Sequence, residues 1–150
     1  MDVVNLGLVD YGQALKTQED QIAVVREKNQ EVLLVCEHPF VVTVGRGLGA
    51  ADDILDKSVP MFEVARGGRS TLHAPGQVVI YPIINLEKRG LSVIEMLRLL
   101  EQAIVNTLDE FGINACRIEG KTGVWVSSSL LGREKKIASL GIAVRQGVSY

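Results

Sequence analysis

The stretch RGGRSTLHAPGQVVIYPIINL, residues 66–86, organises the reading of the whole chain. Gly67, Gly68, Pro75 and Gly76 surround a single histidine, His73, and an arginine stands on either side of the glycine pair, Arg66 and Arg69. An apolar, β-branched run follows at residues 78–84. Glycines let backbone come close to a ligand, and basic side chains beside them favour an anionic or carbonyl group. The strand behind ties the loop to a rigid core. This is the pattern of a binding loop rather than of a buried segment. On the residues alone a second reading stands beside it: a tight Gly/Pro turn between two strands, carrying an incidental histidine.

Outward from this loop, the pattern alternates between strands and two helices. Residues 3–9 read as a first strand. Residues 11–28 carry Leu15, Ile22 and Val25 on one face, the spacing of an amphipathic helix. Residues 32–36 and 40–44 are apolar, strand-like runs on either side of Glu37-His38-Pro39, with Pro39 at the bend because it cannot donate to a ladder. Gly45, Gly47 and Gly49 mark a loop, residues 50–59 a polar connection, and residues 62–65 lead into the glycine loop. Residues 93–111 form the clearest helix. Ser92 and Glu95 make a capping box, Leu91 and Met96 are spaced for a hydrophobic staple, and Gly112 ends it. Its apolar face is expected to be Ile94, Leu97, Ile104, Leu108 and Phe111. Residues 115–118, 123–127 and 136–144 are strand-like, with a hairpin loop at residues 128–135. The expected fold class is α+β, a mixed β-sheet with two helices packed on it, in a single domain spanning residues 1–150.

Bulk properties narrow the function. The 150 residues suit one domain with a core of its own. A net charge of −2, with both signs spread along the chain, argues against nucleic acid or an anionic membrane as the main partner. No apolar run approaches a membrane span, and the N-terminus carries no export signal. The two cysteines, Cys36 and Cys116, have no metal or redox spacing, which points to the cytoplasm and reduced thiols.

Four further features can carry chemistry, and each also has a plain structural reading. Lys136 opens the small, apolar segment KIASLGIAV. It is either a desolvated ammonium able to work in acid/base steps or to lower a thiol pKa, or a surface lysine at a strand end. His38 either assists a site at the sheet edge or caps a turn. Cys36 follows an apolar run and reads as a small buried hydrophobe, and Cys116 lies in a short strand; neither carries the marks of a nucleophile. Trp125 reads as core, with an indole N–H that needs a partner if buried.

Taken in order, these segments resemble the lipoate-protein octanoyltransferase family, related in fold to the catalytic domains of biotin and lipoate protein ligases. The resemblance covers nearly the whole chain. Asp10-Tyr11 with Ala14, Leu15 and Gln18 is similar to the family's first-helix signature. Glu37-His38-Pro39 with Thr43, Gly45 and Arg46 is similar to its second motif. Residues 66–86 resemble its main motif, and GVWV and KIASLGI its two later ones. The resemblance implies a biotin/lipoate ligase-like fold and transfer of octanoyl from octanoyl-acyl carrier protein, through a cysteine thioester, to a lysine of lipoyl domains. The acceptors implied are the lipoyl domains of 2-oxoacid dehydrogenases and the glycine-cleavage H protein. No cofactor or metal is implied.

By the same resemblance, the acyl-binding loop is Arg66, Gly67, Gly68, Arg69, Ser70, Thr71, Leu72 and His73. Ser139, Leu140 and Gly141 form a second piece of the pocket, and Lys136 lowers the thiol's pKa. Two departures stand out. Ala74 replaces a usual glycine, which requires negative φ there. Arg69 occupies a variable position, where it would add charge near the mouth for the carrier's phosphopantetheine arm. The family's nucleophilic cysteine lies further along than Tyr150 and has no match here, so the expectation is a domain lacking its C-terminal part. Two rivals follow: an ATP-dependent lipoate or biotin ligase, set back by KIAS in place of the ligases' usual pattern, and a non-catalytic acyl- or partner-binding module.

Overall fold

The computed structural model describes residues 1–54, 56–128 and 133–150. These divide into two compact units, Met1–Gly90 with Ile142–Tyr150, and Leu91–Gly141.

The first unit opens with β1 (Asp2–Leu8) and α1 (Tyr11–Lys28). Asp10 caps α1 by accepting the Gly12 N–H at 2.8 Å, and Asn29 ends it in the left-handed region. The buried face is Tyr11, Ala14, Gln18, Ile22 and Val25; Ile22 and Val25 are buried as expected, whereas Leu15 is only half-buried and Ala14 takes its place in the seam. β2 (Val32–Glu37) and β6 (Val79–Asn85) pair antiparallel, β1 joins β2 in parallel, and β11 (Val148–Ser149) with β10 (Val144–Arg145) completes the sheet. The order is β1-β2-β6-β11-β10. Ile22 and Val25 of α1 pack on Val32, Leu34, Ile83 and Val148 to form the core. That burial is the main source of the unit's stability. The short helix α2 (Leu86–Arg89), absent from the sequence reading, is capped by Asn85.

A second sheet in this unit holds β4 (Met61–Glu63), β3 (Val41–Val44) and β5 (Ser70–His73), in the order β4-β3-β5. β5 corrects the reading of residues 66–73 as loop. Ser70–His73 is a strand, antiparallel to β3, with Thr71 opposite Thr43 and His73 opposite Val41. Only pairing with residues about thirty positions earlier could reveal it. Phe40 stays outside β3 and is exposed. A 3-10 turn, Ala50–Asp53, interrupts the connection read as irregular.

The second unit is α3 (Val93–Glu110) with an antiparallel sheet β7-β8-β9: β7 (Ala115–Ile118), β8 (Lys121–Ser128) and β9 (Arg133–Ala138). The Ser92–Glu95 capping box forms as expected. The apolar face forms in part: Leu97, Ile104 and Leu108 are half-buried, Ile94 and Phe111 are exposed, and the fully buried residues of α3 are Met96 and Glu101. The last strand also differs, because β9 ends at Ala138 and residues 139–143 are irregular. Residues 129–132 of the expected hairpin loop lie outside the described residues. The class is α+β, as the alternation of patterns predicts, with the strands of the described residues in three sheets rather than one.

Candidate functional site

Two glycine loops meet in the first unit. The Gly45 N–H donates to the Arg69 carbonyl at 3.2 Å, the Arg46 N–H to Arg66 at 3.1 Å, and the Gly47 N–H to Gly68 at 2.8 Å. A side chain at Gly47 would stand 2.7 Å from the Gly68 carbonyl oxygen, so this approach needs glycine. Gly68 has φ 81°, a conformation that L side chains rarely adopt, whereas a Cβ at Gly67 would meet open space. The first of these loops, with Gly45, Gly47 and Gly49, borders an open recess of about 570 Å³ that Glu63, Val64 and Ala65 also line.

Arg66 organises this junction. Its Nη1 donates to the Gly67 carbonyl at 3.0 Å and to Arg69 at 2.9 Å. Nη2 donates to the Thr43 carbonyl at 3.0 Å and hydroxyl at 2.7 Å, and to the Thr71 hydroxyl at 3.1 Å. The guanidinium fork is therefore turned onto the protein's own backbone, a use that a lysine could not reproduce. Arg69 likewise donates from Nη1 to the Leu48 carbonyl at 2.8 Å and from Nη2 to Gly49 at 2.9 Å. Both arginines read in the sequence as ligand-binding charges clamp the loops.

Thr43, fully buried, passes the network to His73. Its hydroxyl accepts from Arg66, which leaves its hydrogen to face His73 Nε2 at 3.5 Å. His73 Nδ1 donates to Gln77 Oε1 at 2.7 Å. Burial pushes the His73 pKa below the usual imidazole value, opposed by the Gln77 bond. At neutral pH the ring is thus uncharged, with its Nδ1 tautomer held by Gln77. The Pro75–Gly76 turn is pinned by the Gly76 N–H donating to Glu37 Oε2 at 2.6 Å. Ala74 is outside the positive-φ residues, so the methyl group that replaces a glycine is accommodated.

Strand alternation separates the candidates on β5. Thr71 and His73 face the Arg66–Thr43 network, while the Leu72 side chain is about half exposed on the other side.

His38 is neither at a sheet edge nor capping a turn. It is fully buried, its Nδ1 donates to the Val9 carbonyl at 2.7 Å, and its Nε2 lies 2.8 Å from the Tyr81 hydroxyl. Because a carbonyl only accepts, the neutral ring carries its proton on Nδ1 and receives the Tyr81 O–H on Nε2. His38 and His73 meet edge to face at 5.6 Å between centroids, and Tyr11 stacks 6.2 Å from His73. Burial raises the pKa of Tyr11 and of Tyr81. Cys36 lies 3.5 Å from His38 Nε2, and burial pushes its thiol up to about 11. It stays protonated at neutral pH, a small buried group as the sequence suggests. Tyr11, Thr43, Gln77 and Tyr81 enter this cluster unforeseen as site residues, although all four stand in the motifs.

The other candidates belong to the second unit. Lys136 on β9 is exposed, not desolvated, with its Nζ 4.9 Å from the centre of the Trp125 ring. Ser139, Leu140 and Gly141 follow β9 without regular structure; Leu140 is half-buried and the other two are exposed. Cys116 is an exposed thiol on β7. Trp125 is half-buried rather than core, and its indole N–H has no hydrogen-bond partner among the described residues.

Residues 10–150 match the family described as the lipoyl protein ligase A/B catalytic domain. The chain belongs to this family. It is 42% identical over 147 residues to an octanoyltransferase of Pelobacter propionicus, covering 97% of this chain and 66% of the relative. It is 40% identical over 150 residues to an octanoyltransferase of Geobacter metallireducens, covering 99% and 67%. The chain spans about two thirds of the length of these curated relatives. Among solved structures, the bipartite lipoate protein ligase of Thermoplasma acidophilum superposes with a TM-score of 0.70 at 19% identity, covering 99% of this chain and 58% of that one. A lipoate-protein ligase A bound with ATP superposes equally, at 18% identity over 99% and 63%. At these identities the likeness shows the fold, the ligase-like α+β architecture expected from the motifs. No helix among the described residues is long and apolar enough to cross a membrane.

Proposed function

We propose that the protein is an octanoyltransferase of protein lipoylation, moving an octanoyl group from octanoyl-acyl carrier protein to a lysine of lipoyl domains. The observation that carries this reading is about 40% identity, over nearly all of the chain, to relatives named octanoyltransferase. The glycine-loop junction suits the first task of such an enzyme. It is a polar edge whose backbone is locked by the Arg66 and Arg69 guanidinium groups, so that Gly67, Gly68, Ser70, Thr71, Leu72 and His73 can meet an acyl thioester through backbone and His73. Amides held still before the reaction stabilise a developing oxyanion without reorganisation. Ser139, Leu140 and Gly141, in the second unit, are proposed as further acyl-binding residues.

Transfer through a thioester divides one hard acyl transfer into two easier steps. The burial that holds the Cys36 thiol protonated argues against it as nucleophile. The thiol is proposed to come from the part of the relatives' length that these 150 residues do not span, with Lys136 as the ammonium that favours its thiolate. The acceptors are proposed to be the lipoyl domains of 2-oxoacid dehydrogenases and the glycine-cleavage H protein, and the setting the cytoplasm.

The test is transfer by the full-length protein from octanoyl-acyl carrier protein to a purified lipoyl domain, followed by intact mass. The acceptor should gain one octanoyl group without ATP. Transfer only with ATP and free acid would identify a ligase instead. Carrier binding without turnover would identify a binding module.

A further inference from the structure

We propose that Glu101 is a positioning residue for Lys136, acting through the backbone of Gly123. This rests on Lys136 taking part in acyl transfer, as proposed above.

Glu101 is fully buried on α3, where a carboxylate is costly unless paired and hydrogen-bonded. Among the described residues it has two partners. Arg98 Nη1, one helical turn back, donates to Oε2 at 2.6 Å. The Gly123 N–H donates to Oε1 at 2.8 Å. A buried charge held to a single backbone N–H of the neighbouring strand defines that point of β8 closely.

Gly123 is itself unusual. Its φ is 118°, and a Cβ there would stand 2.7 Å from the Ala138 carbonyl oxygen, 3.1 Å from Lys136 Cε and 3.3 Å from Lys136 Cδ. The Lys136 methylenes therefore lie across the space that a side chain at position 123 would fill. The ladder adds a second device. Val124 pairs with Ala138 but Trp125 pairs with Lys136, so Ile137 is an extra residue in β9. Such a bulge re-aims the side chains beside it. Here it sets Lys136 opposite Trp125, with Nζ 4.9 Å from the ring centre. The Lys121 ammonium approaches the same ring at 5.1 Å and is drawn towards Glu134 at 3.7 Å.

These contacts form one chain of cause. The Glu101 carboxylate holds Gly123, the bare Gly123 backbone is the surface over which Lys136 extends, and the Trp125 face receives the ammonium by cation–π attraction. Without the carboxylate, the N–H at position 123 loses its acceptor and the lysine loses its track.

The test uses the full-length protein with Glu101→Ala, Glu101→Gln and Lys136→Met, singly and with each Glu101 change combined with Lys136→Met. Trp125 is the only tryptophan in these 150 residues, and its emission is read by difference against Trp125→Phe. Lys136→Met should shift that emission, and Glu101→Ala should reproduce the shift. Glu101→Gln keeps an oxygen acceptor for Gly123 and should stay close to the unsubstituted protein. In kinetics, Glu101→Ala should lower kcat by about tenfold or more with little change in KM, and add nothing in the Lys136→Met background. If Glu101→Ala does not fold, Glu101→Leu, similar in size and lacking an acceptor, takes its place. Unchanged Trp125 emission in a folded Glu101→Ala or Glu101→Leu protein overturns the proposal. So does a loss of kcat that multiplies with that of Lys136→Met. If Lys136→Met leaves transfer intact while the emission changes follow the expected order, the role of Lys136 in transfer fails and its positioning by Glu101 stands.

Discussion

Gly47→Ala tests whether the junction of the two glycine loops is a steric requirement. The added methyl would stand 2.7 Å from the Gly68 carbonyl oxygen, 2.9 Å from its carbon and 3.2 Å from Arg69 Cγ. The first two are backbone atoms, so no side-chain rotation relieves them. Restoring ordinary contact moves one loop by most of an ångström, which breaks the 2.8 Å bond from the Gly47 N–H to Gly68 and strains the 3.1 Å bond from Arg46 to Arg66. A hydrogen bond is worth about 1 kcal/mol net, and overpacking costs about 1–3 kcal/mol. The expected loss is therefore about 2–4 kcal/mol, a fall of about 1–2 M in the urea midpoint for a slope of about 2 kcal/mol/M. Gly67→Ala is the control. It sits one position from Gly68, meets open space and lies outside the positive-φ residues, so its stability should change by less than about 0.5 kcal/mol, a midpoint shift under about 0.3 M. Denaturation followed by far-UV circular dichroism reads both. Equal midpoints for the two variants would refute the steric account of the junction.

Three further outcomes are expected. His73 has a pKa pushed down by burial, so the unfolded chain takes its proton first as pH falls; stability present above about pH 6.5 should decline below it, and less so in His73→Gln, as read by urea midpoints at pH 7.5 and 5. The Cys36 thiol is buried and raised to about 11, whereas Cys116 is exposed; of these two, iodoacetamide at pH 8 should label only Cys116 in the folded protein and both in urea, by peptide mass. His38→Ala empties a fully buried site and leaves the Val9 carbonyl and the Tyr81 hydroxyl without their partner; it should cost about 2–4 kcal/mol in thermal or urea melts, and a loss below about 1 kcal/mol would show that water replaces the ring.

The parts of this protein legible in its sequence are those governed by neighbours along the chain. The 3.6-residue spacing determined α1, and Ser92 with Glu95 determined the start of α3. Alternating and β-branched runs determined β2, β3 and β6. The ordered motifs determined the family, because they record residue identities rather than contacts. Tertiary structure decided what each polar side chain does. Arg66 and Arg69 read as ligand-facing charges, but their acceptors are carbonyls of both loops, including Leu48 and Gly49, about twenty positions from Arg69. His38 became a buried link between Val9 and Tyr81 for the same reason. Residues 70–73 became a strand only because β3 offers its edge, a pairing invisible to local propensity. Glu101, on a helix face read as purely apolar, was hidden because its partners are Gly123 on another strand and an arginine whose role depends on that burial. Local pattern selects helix or strand through backbone geometry and side-chain periodicity. The partner of a buried donor or charge is set by which distant segments the fold brings within hydrogen-bonding distance.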